Sequence, residues 1–223
     1  SQVASCENLL ALFGPRYEAD PQNLDLAKNI VKMMSVTDGC TDNDLFLNAV
    51  NTMYRLEPSA NSAYYLYRLY SGRNDYDNAV KYLEEAIASE ETDADTDAGY
   101  NYELAAYSLK NGNSLEAIEY ANKAIELSDV VDGKAYMLIG TIWGNLACSG
   151  NEIEQRAKYW VATDFMNKAK AADETLAEDC NTYISQYRVY YPQTAEAFMY
   201  DITDGQSYTV SCAGMRAVTT VRT

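Results

Sequence analysis

The densest run of side chains able to do chemistry in this 223-residue chain is Asp93-Ala-Asp-Thr-Asp97-Ala-Gly99, with carboxylates at alternate positions. That spacing suits a calcium loop, which places carboxylates first, third and fifth, a glycine sixth to turn the chain and a glutamate twelfth to close the shell. With Asp93 first, Ala98 takes the glycine position and Leu104 the glutamate position, so the run reads as a solvated loop and no metal site is expected. Histidine is absent, which removes the commonest general base, the commonest metal ligand and the usual partner of a nucleophilic serine or cysteine. Carboxylates, tyrosines and lysines remain as acid–base groups, but the expectation is a non-catalytic protein with no catalytic residues and no cofactor.

The five cysteines, Cys6, Cys40, Cys148, Cys180 and Cys212, are widely spaced and include no C-x-x-C pair. A zinc knuckle and a thioredoxin-like redox motif are thereby left out. Cys6 and Cys40 flank the N-terminal helices and could pair if the protein is exported. Cys180 falls on an apolar stripe and reads as a small buried hydrophobe. Lysine and arginine number 17 against 33 aspartates and glutamates, a net charge of -16. Nucleic acid and anionic lipid need a cationic face that releases counterions, so neither is an expected partner. No apolar run reaches the roughly 18 residues of a membrane span, so no membrane insertion is expected. Oligomeric state is not encoded in any pattern found.

The elements that would position these residues are helical and repeated. Leu66 and Leu104, Ala79 and Ala117, and Ala86 and Ala124 share one separation, 38 residues. Small residues at such spacing let two helices of a hairpin cross closely. Gly112 marks the turn, and Asn113 with Glu116 reads as a capping-box start, as does Asn74 with Asp77 one repeat earlier. A third hairpin begins near Gly133 and resumes through Trp160, Ala162, Met166 and Ala169, with about ten extra residues around Cys148 to Ala157. Thr175 with Glu178 opens a helix carrying Leu176, Cys180, Tyr183, Ile184 and Tyr187 on one face, as expected of a cap on a repeat array.

Upstream, Leu24 to Met34 and Leu45 to Leu56 form two amphipathic stripes, and Cys6 to Phe13 reads as a short helix stopped by Gly14-Pro15. After Pro192, Ser207 to Ser211 and Ala217 to Val221 alternate and are β-branched around Ala213-Gly214, the pattern of a hairpin. The division expected is a helical solenoid over 1–192 and an extension over 193–223. Within the solenoid lie a degenerate repeat at 21–58, repeats at about 60–93, 98–131 and 133–172, and a capping helix at 175–191.

The leucine and alanine positions, the two-helix period and the turn glycine make the stretch from about 60 to 170 similar to tetratricopeptide (TPR) repeats. The wider chain resembles a bacterial group of such repeat proteins to which no activity is assigned. That likeness rests on Cys6-Glu7, Phe13-Gly-Pro15, Cys40-Thr-Asp42, Leu56-Glu-Pro58, Tyr159-Trp160, Lys168-Ala-Lys170 and Thr219-Thr-Val-Arg-Thr223. It implies an all-α, TPR-type helical-hairpin solenoid, a right-handed superhelix with a C-terminal capping helix and a short terminal β-hairpin. It also implies that the segment is the C-terminal half of a longer protein, and favours the periplasm or cell envelope over the cytoplasm.

In the resembled repeat the first helix of each pair lines the concave groove. Carried over position by position, the groove-facing residues are Asn61, Tyr64 and Arg68, then Tyr102 and Lys110, then Lys134, Met137 and Asn145. Three cations on so acidic a chain suit a ligand with a carboxylate, although pairing with neighbouring acids is the bland alternative. Leu138 stands where a carboxylate-clamping family member has arginine, so that clamp is not expected. Tyr70, Tyr76 and Trp143 read as core, while Tyr64 and Tyr102 could be platform residues. The leading expectation is a protein-interaction scaffold that holds a peptide or protein segment on this face. The alternative is a glycan-binding module of the bacterial cell envelope using the same aromatics, and a third reading has the C-terminal hairpin filling the groove.

Overall fold

The structure, a computed structural model, describes residues 5–223 and divides into two compact units, 1–93 and 94–223. In the first, α1 (Cys6–Ala19), α2 (Leu24–Ser35) and α3 (Asp44–Leu56) precede the helical hairpin of α4 (Ala60–Gly72) and α5 (Tyr76–Ala88). Ala27, Ile30, Val31 and Met34 of α2 and Phe46, Ala49 and Val50 of α3 form one buried cluster with Leu9, Phe13 and Leu66. Those spacings are the two amphipathic stripes seen in the sequence, each closed on the other.

Helix α1 does not stop at Gly14-Pro15; it runs on to Ala19. A proline inside a helix removes one backbone donor. The turn beyond it is held from outside, by Phe13 in the core and by Tyr17, whose hydroxyl donates to the Asn48 carbonyl and shares a 2.7 Å hydrogen bond with Thr52. Cys6 and Cys40 are joined by a disulfide, their Cα atoms 5.1 Å apart.

Between α4 and α5 the small residues do what close crossing requires: Ala79 and Ala86 have no exposed surface, and Leu83 and Leu66 fill the remaining seam. Tyr70 stacks on Tyr82 with ring centroids 5.5 Å apart, so Tyr70 is half-buried at the rim, as is Tyr76, and neither is full core. The cap of α5 is Asp75, which accepts from the Asn78 amide. Asn74, expected to cap, instead takes the left-handed turn conformation, φ 58°, which asparagine tolerates.

The second unit repeats the plan with α6 (Ala94–Lys110) and α7 (Ser114–Leu127), again with Ala117 and Ala124 fully buried. Ala94 to Asp97 are the first turn of α6 and not a loop, because Asp95 and Asp97 sit where a helix N-terminus favours negative charge. Gly112 makes the turn at φ 83°, and Asn113 precedes α7 without a side-chain cap, so no capping box forms there.

Next come α8 (Asp132–Asn145), a short α9 (Glu152–Arg156) and α10 (Lys158–Ala172). Helix α8 lies against α10 closely enough that a Cβ on Gly140 would stand 3.2 Å from the Ala162 carbonyl oxygen. The extra residues of this repeat form a loop and α9 and do not lengthen the flanking helices. Cys148 in that loop is bonded to Cys212, a pairing that no spacing in the sequence announced.

Helix α11 (Ala177–Arg188) covers α10 with Cys180, Ile184 and Tyr187 buried. Its entry is a 3-10 turn in which Asp173, not Thr175, accepts the capping bonds, from the Thr175 amide and hydroxyl. A short α12 (Thr194–Met199) leads to β1 (Ser207–Cys212) and β2 (Met215–Thr220), antiparallel with Ser207 opposite Thr220. Ala213 and Gly214 both have positive φ, the two-residue turn whose twist matches a hairpin. A lone hairpin is marginal in water. This one is tied to α10: Trp160 donates its indole N–H to the Arg222 carbonyl at 2.9 Å, and Asp164 accepts from Thr219 and Arg222.

Candidate functional site

Helix α4 begins with a capping box in which Ser59 and Ser62 satisfy each other's backbone amides. From there Asn61, Tyr64, Tyr65, Arg68 and Leu69 follow at three- and four-residue spacing and share a face. Ala63, Leu66 and Tyr67 are buried in the unit's interior. The exposed face forms one wall of a cavity of about 640 Å³, closed by Ser35 and Val36 at the end of α2, Thr41 in the following loop and Phe46 of α3.

That loop is fixed from both sides. The Cys6–Cys40 disulfide holds the residue before Thr41, and Asn43 caps α3 through its carbonyl while donating to the Cys40 carbonyl.

The cavity has an apolar floor, Phe46 at 1% exposure, and an apolar rim, Val36 at 84%. Among the described residues Arg68 is the one cation in its lining, and none of the lining residues is a carboxylate. Arg68 is exposed and makes no ion pair among the described residues. An arginine with open donors above an apolar floor recognises a planar carboxylate carried on an apolar stem, because guanidinium and carboxylate pair through two parallel hydrogen bonds.

In the second unit the groove positions lie on α6 and α8. Tyr102 is half-buried, and burial raises the pKa of its hydroxyl. Lys110 is exposed in the last turn of α6, where a helix C-terminus favours a cation, and has no ion pair among the described residues. Lys134 has an acidic neighbour: the Thr175 side chain and amide bonds chiefly depress the Asp173 carboxyl, and the Lys134 charge adds to them. Met137 is half-buried. Asn145 is exposed and donates its amide to the Thr141 carbonyl one turn back, so part of its bonding capacity is used within α8. Leu138, at the position where a clamp would need arginine, is 8% exposed.

Asn61, Tyr64 and Arg68 are therefore brought together in one cavity, while Lys134, Met137 and Asn145 share a stripe of α8, and Tyr102 and Lys110 lie on α6. The α2–α3 side of the cavity escaped sequence reasoning, because the stretch 21–58 carries no clear repeat positions. Tyr65 and Leu69 were within reach of it, each one residue beyond an assigned groove position. The terminal hairpin is seated on α10, the second helix of its pair, by the bonds of Trp160, Asp164 and Arg222.

No protein-family model matches this chain, and neither does any curated protein. Among solved structures it is similar to the crystal structure of MamA, with a TM-score of 0.54 and 20% identity, covering 78% of this chain and 91% of that one. It also matches, at a TM-score of 0.34 and 12% identity, a variant kinesin light chain of Podosopora anserina with nearly identical TPR-like repeats, covering 88% and 96%. The fold is a TPR-type helical-hairpin repeat with a short C-terminal antiparallel hairpin. It rests on the buried alanines of α5 and α7 and on the MamA likeness. Repeat folds of this type generally serve as protein–protein interaction scaffolds, presenting an extended face to a partner.

Proposed function

We propose that this protein is a non-catalytic scaffold that binds a peptide or protein segment on the exposed face of its first-of-pair helices, and that the anchor is the α4 cavity. The observation that supports this is the cavity's lining: among the described residues, one arginine that makes no ion pair, no carboxylate and an apolar floor, in a chain of net charge -16. An acidic side chain or a C-terminal carboxylate on an apolar stem fits that combination. Tyr102 and Lys110 on α6, and Lys134, Met137 and Asn145 on α8, are proposed as further contacts of the second unit. The glycan reading draws less from this region, since a sugar platform needs coplanar exposed rings, and Tyr67, the ring beside Tyr64, is buried and tilted 39° from it. The two disulfides support residence in an oxidising compartment such as the periplasm.

Panning a random peptide library and a glycan panel on the full chain tests this reading. Peptides enriched in acidic residues next to an apolar one are the expected outcome, with enrichment lost on Arg68→Glu. Retention of glycans without peptides, or an unchanged peptide set on the variant, would overturn it.

A further inference from the structure

The seam between α10 and α11 is apolar where Cys180, Ile184 and Tyr187 pack, but beside them it opens into a polar cavity of about 270 Å³. Its walls are two helical stripes. Thr163, Asn167 and Lys170 come from α10, and Asn181, Ser185 and Arg188 from α11, all at three- and four-residue spacing. Tyr191 and Arg222 close it. Three of the chain's 17 cationic residues converge here, and among the described residues no carboxylate lines the space.

The three cations differ in what they have left to offer. Arg222 is committed, paired with Asp164 and donating to the Trp160 and Thr220 carbonyls. Lys170 gives one hydrogen bond, to the Asn181 side-chain oxygen at 2.9 Å, and keeps two donors. Arg188 makes no ion pair among the described residues. After Asp164 is set against Arg222, the cavity keeps an uncompensated positive charge from Lys170 and Arg188. The Tyr191 hydroxyl feels both signs: burial raises its pKa, the bond to Thr163 and the charges of Arg222 and Arg188 oppose that rise, and Asp164 adds to it. Apart from Ile184, hydroxyl and carboxamide groups line the remainder, which suits hydroxyls on a ligand.

We propose that this cavity is a second binding site, for a small polar oxyanion, a carboxylate or phosphate group on a hydroxylated molecule, held by Arg188 and Lys170. Its volume admits a single sugar-sized unit. A larger cavity of about 590 Å³ shares Arg188, Tyr191 and Arg222, and leaves room for an attached group. The site is built within the second unit and stands whether or not the α4 cavity binds a peptide.

Calorimetric titration of the full chain at low salt with inorganic phosphate, D-glucuronate and D-glucose tests it. Binding of phosphate or glucuronate is expected, the tighter of the two naming the group the site was built for, with glucose silent. Arg188→Gln should weaken binding about tenfold or more, the scale of one hydrogen bond to a charged group. Asn167→Asp changes shape little and sets a carboxylate in the lining, so it should abolish binding without unfolding the chain. Arg68→Gln should leave it unchanged. The proposal fails if neither anion binds, if glucose binds as well as glucuronate, or if Arg188→Gln and Asn167→Asp, folded by circular dichroism, bind like the parent.

Discussion

Replacing Cys148 and Cys212 by serine removes a cross-link that spans 64 residues of the second unit. A cross-link stabilises chiefly by restricting the unfolded chain, and a loop of this length corresponds to about 4 kcal/mol at 25 °C in the chain-entropy account. Spread over a unit of this size, that lowers its melting temperature by roughly 10–20 °C. The native hairpin should stay docked, because Trp160, Asp164 and Arg222 hold it to α10 independently of the disulfide. Differential scanning calorimetry under non-reducing conditions reads the shift, and an unchanged far-ultraviolet spectrum below the transition shows that the fold survives. The transition assigned to residues 94–223 should move while that of the first unit, with its own Cys6–Cys40 bridge, stays in place. A melting temperature within a degree or two of the parent would mean that the bridge adds nothing beyond the hydrogen bonds around it.

Three further outcomes follow from the packing. Ala86→Leu forces a large side chain into the closed α4–α5 seam and should cost about 1–3 kcal/mol, read from urea unfolding, whereas the same change at the exposed Ala88 should cost less. Tyr187 is held neutral by burial, with smaller contributions from Tyr183, Tyr159 and Cys180, and its pKa is pushed up to about 12. An unfolded tyrosine ionises near 10. The native state is therefore favoured below that pH and loses this contribution as pH rises from about 10 to about 12, so Tyr187→Phe should lose less stability over that window than the parent. Alkylation in denaturant without reductant should label Cys180 and none of the four bridged cysteines, counted by intact mass.

The middle of the chain was legible because its packing depends on residue size. Ala79, Ala86, Ala117 and Ala124 can only be small if two helices are to touch, and that requirement shows in the sequence itself. What escaped was decided at long range. The helix through Pro15 is held by a tyrosine reaching Thr52, far along the chain. The cap at Asp173 displaces Thr175 because the entry to α11 is a 3-10 turn. The Cys148–Cys212 bond joins an inserted loop to a terminal strand, and nothing local to either marks it. The candidate site shows the same division. Asn61, Tyr64 and Arg68 follow from helical register on α4, while the opposite wall of Val36, Thr41 and Phe46 comes from helices whose repeat positions have lost their identity. The α10–α11 cavity was invisible for a related reason, since its charges come from three separate places: Lys170 on α10, Arg188 on a helix read only as a cap, and Arg222 after the terminal strand.

Peptide binding at the α4 cavity depends above all on Arg68 reading an acidic group. The direct measurement is the dissociation constant of a selected acidic peptide for the parent, Arg68→Gln and Arg68→Glu, by fluorescence anisotropy at two salt concentrations. Binding about tenfold weaker is expected for the glutamine variant and a still larger loss for the glutamate variant, with the parent weakening as salt rises. Equal affinity for all three proteins would contradict it and remove the cavity from the binding surface.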